Sequence, residues 1–153
     1  MNPIPQKPSS AFIGAAWAAF GVGSLGFLIG VWNASMLVSE KGYYFTVLLF
    51  GLFSAVSVQK SVRDQLEDIP VTPMYFGLCW TSVILALVLV SVGLWNATLS
   101  LSEKGFYGMA FVLSMFAAIT VQKNTRDCAV SDRKRAVPAH LPESTVGDLN
   151  LPM

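Results

Sequence analysis

The segment Trp32-Asn33-Ala34-Ser35-Met36-Leu37-Val38-Ser39-Glu40-Lys41-Gly42-Tyr43-Tyr44 recurs 63 positions later, without a gap, as Trp95-Asn96-Ala97-Thr98-Leu99-Ser100-Leu101-Ser102-Glu103-Lys104-Gly105-Phe106-Tyr107. The same displacement carries Gln59-Lys60 and Arg63-Asp64 onto Gln122-Lys123 and Arg126-Asp127. Long apolar runs flank both copies, so the chain is constrained to a duplicated pair of apolar segments joined through a short polar stretch.

From Ala11 to Val38 no charged residue appears. About 20 apolar helical residues cross roughly 30 Å of hydrocarbon, so this run is long enough to span with some tilt. Tyr43 to Val58 is uncharged and closed by Gln59-Lys60. As helix it covers about 24 to 27 Å, and Lys60 is expected to snorkel to the interface. The second copy repeats both runs. A secretory signal peptide is the competing reading of the first run, but its apolar core is too long and its counterpart lies deep inside the chain. Composition agrees: 54% of residues are hydrophobic and 12% charged, against about 25% charged in ordinary globular domains.

The expected fold is all-α, an integral membrane protein of four transmembrane helices forming two parallel-repeat helical hairpins. Residues 1–10 form a proline-bearing tail; 11–60 are repeat 1, with spans at about 11–38 and 43–60. Residues 61–73 form a charged linker broken by Pro70 and Pro73. Repeat 2 covers 74–123, with spans at about 74–101 and 106–123, and 124–153 is a mostly disordered tail. Lys7, Lys60, Arg63, Lys123, Arg126, Arg133, Lys134 and Arg135 fall on one side of this arrangement, and Lys41 and Lys104 on the other. The positive-inside rule therefore places both termini and the linker in the cytoplasm. With an even number of spans per repeat, the two copies share one orientation.

Trp17, Trp32, Trp80, Trp95, Tyr44 and Tyr107 are expected as interfacial anchors, since amphipathic rings favour the headgroup level. Ser39-Glu40-Lys41-Gly42 and Ser102-Glu103-Lys104-Gly105 read as the hairpin turns, with glycine supplying a left-handed or otherwise strained conformation and the charges keeping the tip in water. Asn33-Ala34-Ser35 and Asn96-Ala97-Thr98 match a glycosylation acceptor, a reading rejected because each Asn would lie about 9 Å inside a helix. Three readings of Asn33 and Asn96 stay open: residence at the headgroup level, an inter-repeat docking contact, or contact with a solute. Gly26-x-x-x-Gly30, continued by Ala34, forms a small-residue stripe suited to close packing within the bundle or to a homo-oligomer face.

Lys60, Arg63, Lys123 and Arg126 complement helix C-termini and are also candidate lipid-headgroup contacts. Cys79 and Cys128 lack a CxxC spacing and a nearby histidine, so neither a metal nor a redox centre is expected. No cofactor is expected. Basic residues cluster at span ends rather than in an aromatic-interleaved patch, which excludes a nucleic-acid surface. The spans contain no Asp, Glu, Lys, Arg or His, the usual mark of ion-coupled transport, and no nucleophile–base arrangement occurs, so neither a pump nor an enzyme is expected.

The doubled Trp-Asn-Ala, Ser-Glu-Lys-Gly-[Tyr/Phe]-Tyr and Val-Gln-Lys-x-x-Arg-Asp pattern, over about Ser10 to Asp127, resembles the YiaA/YiaB two-helix domain of bacterial inner-membrane proteins, in its two-copy form. The resemblance implies an inner-membrane location and a helical-hairpin unit, and brings no catalytic residues. The expected role is accessory, structural or interaction-based, with membrane lipids, a second copy of the chain or another membrane protein as partner. The alternatives are a small oligomeric transporter or channel for an uncharged solute, and binding of anionic lipid.

Overall fold

The computed structural model describes residues 8–136, with side chains described through 133. Four helices follow in order, α1 (Ser10–Asn33), α2 (Val38–Leu66), α3 (Pro73–Asn96) and α4 (Leu101–Ala136). Each is long and apolar enough to cross a membrane. No strand occurs among the described residues. The duplication extends to the caps: Ser9 and Thr72, themselves 63 apart, accept from the amides of Phe12 and Tyr75 at 3.3 and 3.4 Å. Pro73 takes the first position of α3, where a missing N–H costs nothing. Within the spans, the hydroxyls of Ser54, Ser82, Ser91 and Ser114 donate to the carbonyl four residues back, so no hydroxyl of this set is left bare in lipid.

Several boundaries differ from the sequence expectation. The first span of each repeat ends at Asn33 or Asn96, five residues early, and the connections are Ala34 to Leu37 and Ala97 to Ser100. Ser39-Glu40-Lys41-Gly42 and Ser102-Glu103-Lys104-Gly105 are therefore the opening turns of α2 and α4. Gly42 and Gly105 adopt no left-handed conformation, because no glycine among the described residues has positive φ. Extended residues at Ala34 (φ −66°, ψ 145°) and Leu37 (φ −64°, ψ 150°) redirect the chain instead. The linker shrinks to 67–72, since α2 runs on to Leu66, and 124–136 of the expected tail belong to α4. Residues 1–7 and 137–153, with the remainder of both tails, lie outside the described residues.

The repeats interlock. The most extensive contacts join α1 to α4 and α2 to α3, whereas the two helices of one repeat touch little. Exchanging the repeats maps the first of these interfaces onto the second and maps the contact between α2 and α4 onto itself. Small residues permit the close approaches. A Cβ on Gly23 of α1 would lie 2.8 Å from Ser114 Oγ of α4, one on Gly30 would collide with the ring of Tyr107, and one on Gly93 of α3 would lie 2.7 Å from Tyr43 Cε1 of α2. The small-residue stripe thus packs inside the bundle.

At the centre, the fully buried rings of Phe27 and Phe111 stand 6.0 Å apart, and Phe27 also meets Tyr44 and Tyr107 edge-on at 6.4 and 6.1 Å. Such aromatic pairs each add about 0.5–1.5 kcal/mol beyond area burial. Tyr44 and Tyr107 are core residues rather than the expected interfacial anchors. Trp17, Trp32, Trp80 and Trp95 are all exposed on the bundle surface.

Candidate functional site

The duplicated Glu-Lys pair closes the connections. Glu40 Oε2 accepts from the Leu37 amide at 2.7 Å, satisfying a free donor at the start of α2, and Lys41 Nζ donates to the Trp32 carbonyl at 2.6 Å, satisfying a free acceptor at the end of α1. Glu103 and Lys104 do the same toward Ser100 and Trp95, at 2.8 and 3.1 Å. In repeat 2 the arrangement is a reciprocal capping box, because the Ser100 hydroxyl also donates to Glu103 Oε2 and accepts from the Glu103 amide. Leu37 stands at the corresponding position in repeat 1 and leaves Glu40 with its single amide contact.

Asn33 and Asn96 do not meet. Each is exposed, is the last residue of its helix, and donates to the carbonyl four residues back, Ile29 at 2.9 Å and Val92 at 2.8 Å. The docking reading fails, and the depth argument against glycosylation loses its premise. The two residues also part company: Asn33 lies on an open surface with Leu28, Ile29 and Trp32, while Asn96 lines a cavity of about 300 Å³ between the two connections. Met36, Glu40, Tyr43, Tyr44 and Thr98 form much of its wall. Beside it, the Tyr43 hydroxyl donates 2.7 Å to the Leu89 carbonyl, a bond between repeats that the sequence reading missed. A paired change could have signalled it, since Tyr43 and Leu89 on one side correspond to Phe106 and Gly26 on the other.

The opposite end of the bundle carries the basic residues. Lys60 pairs with Asp64 at 3.2 Å; Arg63 pairs with Asp64 at 2.8 Å and lies 3.8 Å from Glu67. Arg126 pairs with Asp127 and, across the repeats, with Glu67, both at 3.0 Å. Lys123 is exposed and has no ion pair among the described residues. Above this rim, α2, α3 and α4 enclose an apolar groove of about 800 Å³. Its walls include Val58, Trp80, Val112 and Phe116, and its only polar lining residues are Gln59 and Arg63, of which Gln59 Oε1 and Arg63 Nε are buried without a hydrogen bond. Cys79 is buried and Cys128 half-buried, both as free thiols.

Four apolar helices built from two interlocked two-helix units define a duplicated polytopic membrane protein. The yiaA/B two helix domain matches twice, at residues 12–64 and 75–127. The chain belongs to the YiaA/YiaB family. It is 55% identical over 126 residues to the inner membrane protein YiaA of Escherichia coli, covering 82% of this chain and 87% of that one. The inner membrane protein YiaB of Escherichia coli is 30% identical over 98 residues, 63% of this chain and 82% of its own. The uncharacterized membrane protein YubF of Bacillus subtilis is 36% identical over 69 residues, 44% of this chain and 79% of its own. No solved structure gives a significant match.

Proposed function

We propose that this chain is a non-catalytic accessory protein of the bacterial inner membrane that holds a phospholipid in the groove between α2, α3 and α4. The observation that carries this reading is the groove itself, about 800 Å³ of apolar wall ending at Gln59 and Arg63. An acyl chain matches the wall, and Arg63 Nε, which makes no hydrogen bond and lies 3.8 Å from Glu67, is a donor for a phosphate oxygen. Because Lys60, Arg63 and Arg126 are already paired with Asp64, Glu67 and Asp127, the rim is of mixed sign. It favours a headgroup carrying both charges over a strongly anionic one. Passage of an uncharged solute is supported less well, since Phe27, Phe111, Tyr44 and Tyr107 fill the bundle interior.

Native mass spectrometry of the protein extracted in mild detergent tests the reading. One retained phospholipid is expected, lost when Val112→Trp fills the groove and weakened in Arg63→Gln. A lipid-free protein, or retention indifferent to both changes, overturns it. The inner-membrane location follows the names of the Escherichia coli relatives. The cytoplasmic placement of both termini follows the excess of Lys and Arg at the groove end. Reporter fusions at the C-terminus are expected to be active only as cytoplasmic reporters, and periplasmic activity there reverses the orientation.

A further inference from the structure

The cavity between the two connections has a chemistry of its own, independent of the groove. Its volume is about 300 Å³, and no Lys or Arg lines it. Tyr43 and Tyr44 form two of its walls, with ring centroids 5.4 Å apart and planes at 77°, an edge-to-face aromatic corner. The corner exists because position 93 is glycine: a Cβ there would stand 2.7 Å from Tyr43 and 3.3 Å from Tyr44.

Three polar groups around this corner keep acceptor lone pairs, and the rotatable hydroxyls of Ser39 and Thr98 also line the cavity. Asn96 places one of its two amide hydrogens on the Val92 carbonyl, which leaves Oδ1 as an acceptor beside the second N–H. Tyr43 spends its hydroxyl hydrogen on the Leu89 carbonyl, so only lone pairs remain on that oxygen. Glu40 accepts the Leu37 amide through Oε2, has no ion pair among the described residues, and keeps Oε1. Lys41, the adjacent cation, is engaged at the Trp32 carbonyl and 6.0 Å from the Trp32 ring. A carboxylate and two carbonyl- or phenol-type acceptors beside two electron-rich rings form an environment selective for positive charge with an apolar surface.

Repeat 2 shows that this is not forced by the duplication. The ring pair recurs there as Phe106 and Tyr107, 5.6 Å apart at 68°, but Glu103 is held by both the amide and the hydroxyl of Ser100. The less engaged carboxylate, Glu40, comes from repeat 1, and Gly93 and Asn96 complete the cavity from repeat 2.

We infer that the cavity lined by Glu40, Tyr43, Tyr44 and Asn96 binds a small organic cation, an alkylammonium of a few carbons, through cation–π contact and the Glu40 carboxylate. The test is isothermal titration calorimetry of the full-length protein in an uncharged detergent, with tetramethylammonium and choline as probes and sodium as competitor. Saturable binding of both probes is expected, undisturbed by equimolar sodium. Tyr43→Leu and Glu40→Gln are each expected to weaken it about tenfold, Tyr43→Phe to retain it, and Glu103→Gln, at the corresponding position of repeat 2, to leave it unchanged. Since Glu40 also caps α2, circular dichroism accompanies each variant, and Tyr43→Leu decides the matter should Glu40→Gln unfold. Absence of binding by either probe, competition by sodium at equal concentration, or unaltered binding in Tyr43→Leu overturns the inference.

Discussion

Gly51 of α2 lies beneath the ring of Phe111 of α4, so close that a Cβ at Gly51 would stand 2.6 Å from Phe111 Cζ. Exchanging the repeats turns this pair into Ser114 and Leu48, both fully buried. The corresponding buried positions thus hold glycine and phenylalanine in one case and serine and leucine in the other, with nearly equal summed volumes.

Gly51→Ala is expected to destabilise the bundle by about 1–3 kcal/mol, because Phe111 is wedged against Phe27 and has nowhere to retreat. Adding Phe111→Leu, the residue type already used at Leu48, should recover most of that loss. Denaturant titration in micelles, followed by tryptophan fluorescence, measures both. A neutral Gly51→Ala would mean that the two helices are not held at this spacing.

The two connections are predicted to differ in strength. Glu103→Gln removes the charge from a capping box that accepts from both the amide and the hydroxyl of Ser100, and is expected to lower stability more than Glu40→Gln, which weakens one amide contact. Amide hydrogen exchange at Ser100 and at Leu37 reports each opening locally, and equal protection in the two variants would contradict the assignment.

Asp68 is the one non-glycine among the described residues with positive φ, 56°. It sits just past α2 in a Schellman arrangement, its amide reaching the Gln65 carbonyl at 3.3 Å and that of Ile69 reaching the Asp64 carbonyl at 2.9 Å. Asp68→Gly removes the steric cost of the left-handed region and is expected to stabilise the protein by about 0.5–1 kcal/mol, read as a raised unfolding midpoint. A lowered midpoint would show that the Asp68 side chain contributes more than its backbone conformation costs.

Because α1 packs on α4 and α2 on α3, halves of the chain should find each other. Fragments 1–70 and 71–153, coexpressed with a tag on one, are expected to co-purify. Either fragment alone should self-associate, since its main interfaces are vacant. YubF, aligned over 69 residues that make up 79% of it, has room for one such unit. A monomeric, stably helical fragment would refute the interlocked arrangement.

The number of helices and their membrane-spanning character were legible because charge is absent from long runs and the duplication checks each run against its copy. The turns were misplaced because Gly42 and Gly105 look like breakers, whereas Ala34 and Leu37, which do the turning, carry no turn signature. Tyr44 and Tyr107 were assigned to the interface by residue type, a rule that is blind to which face of a helix meets a partner. The pairing of helices across repeats was illegible, since the apolar spans offer lipid and neighbour much the same surface. The cavity at Glu40 and Asn96 was half visible: both residues were noticed, but not that they come from different repeats to one place.

The interlock also sets an order of events during synthesis. Spans leave the ribosome in sequence, so α1 enters the bilayer first and its main partner, α4, last. Until α4 arrives, the glycine face at Gly23 and Gly30 has only lipid to lie against, while α2 and α3 can already pair. The bundle therefore closes from its middle outward, and the final span acts as the latch that commits the first.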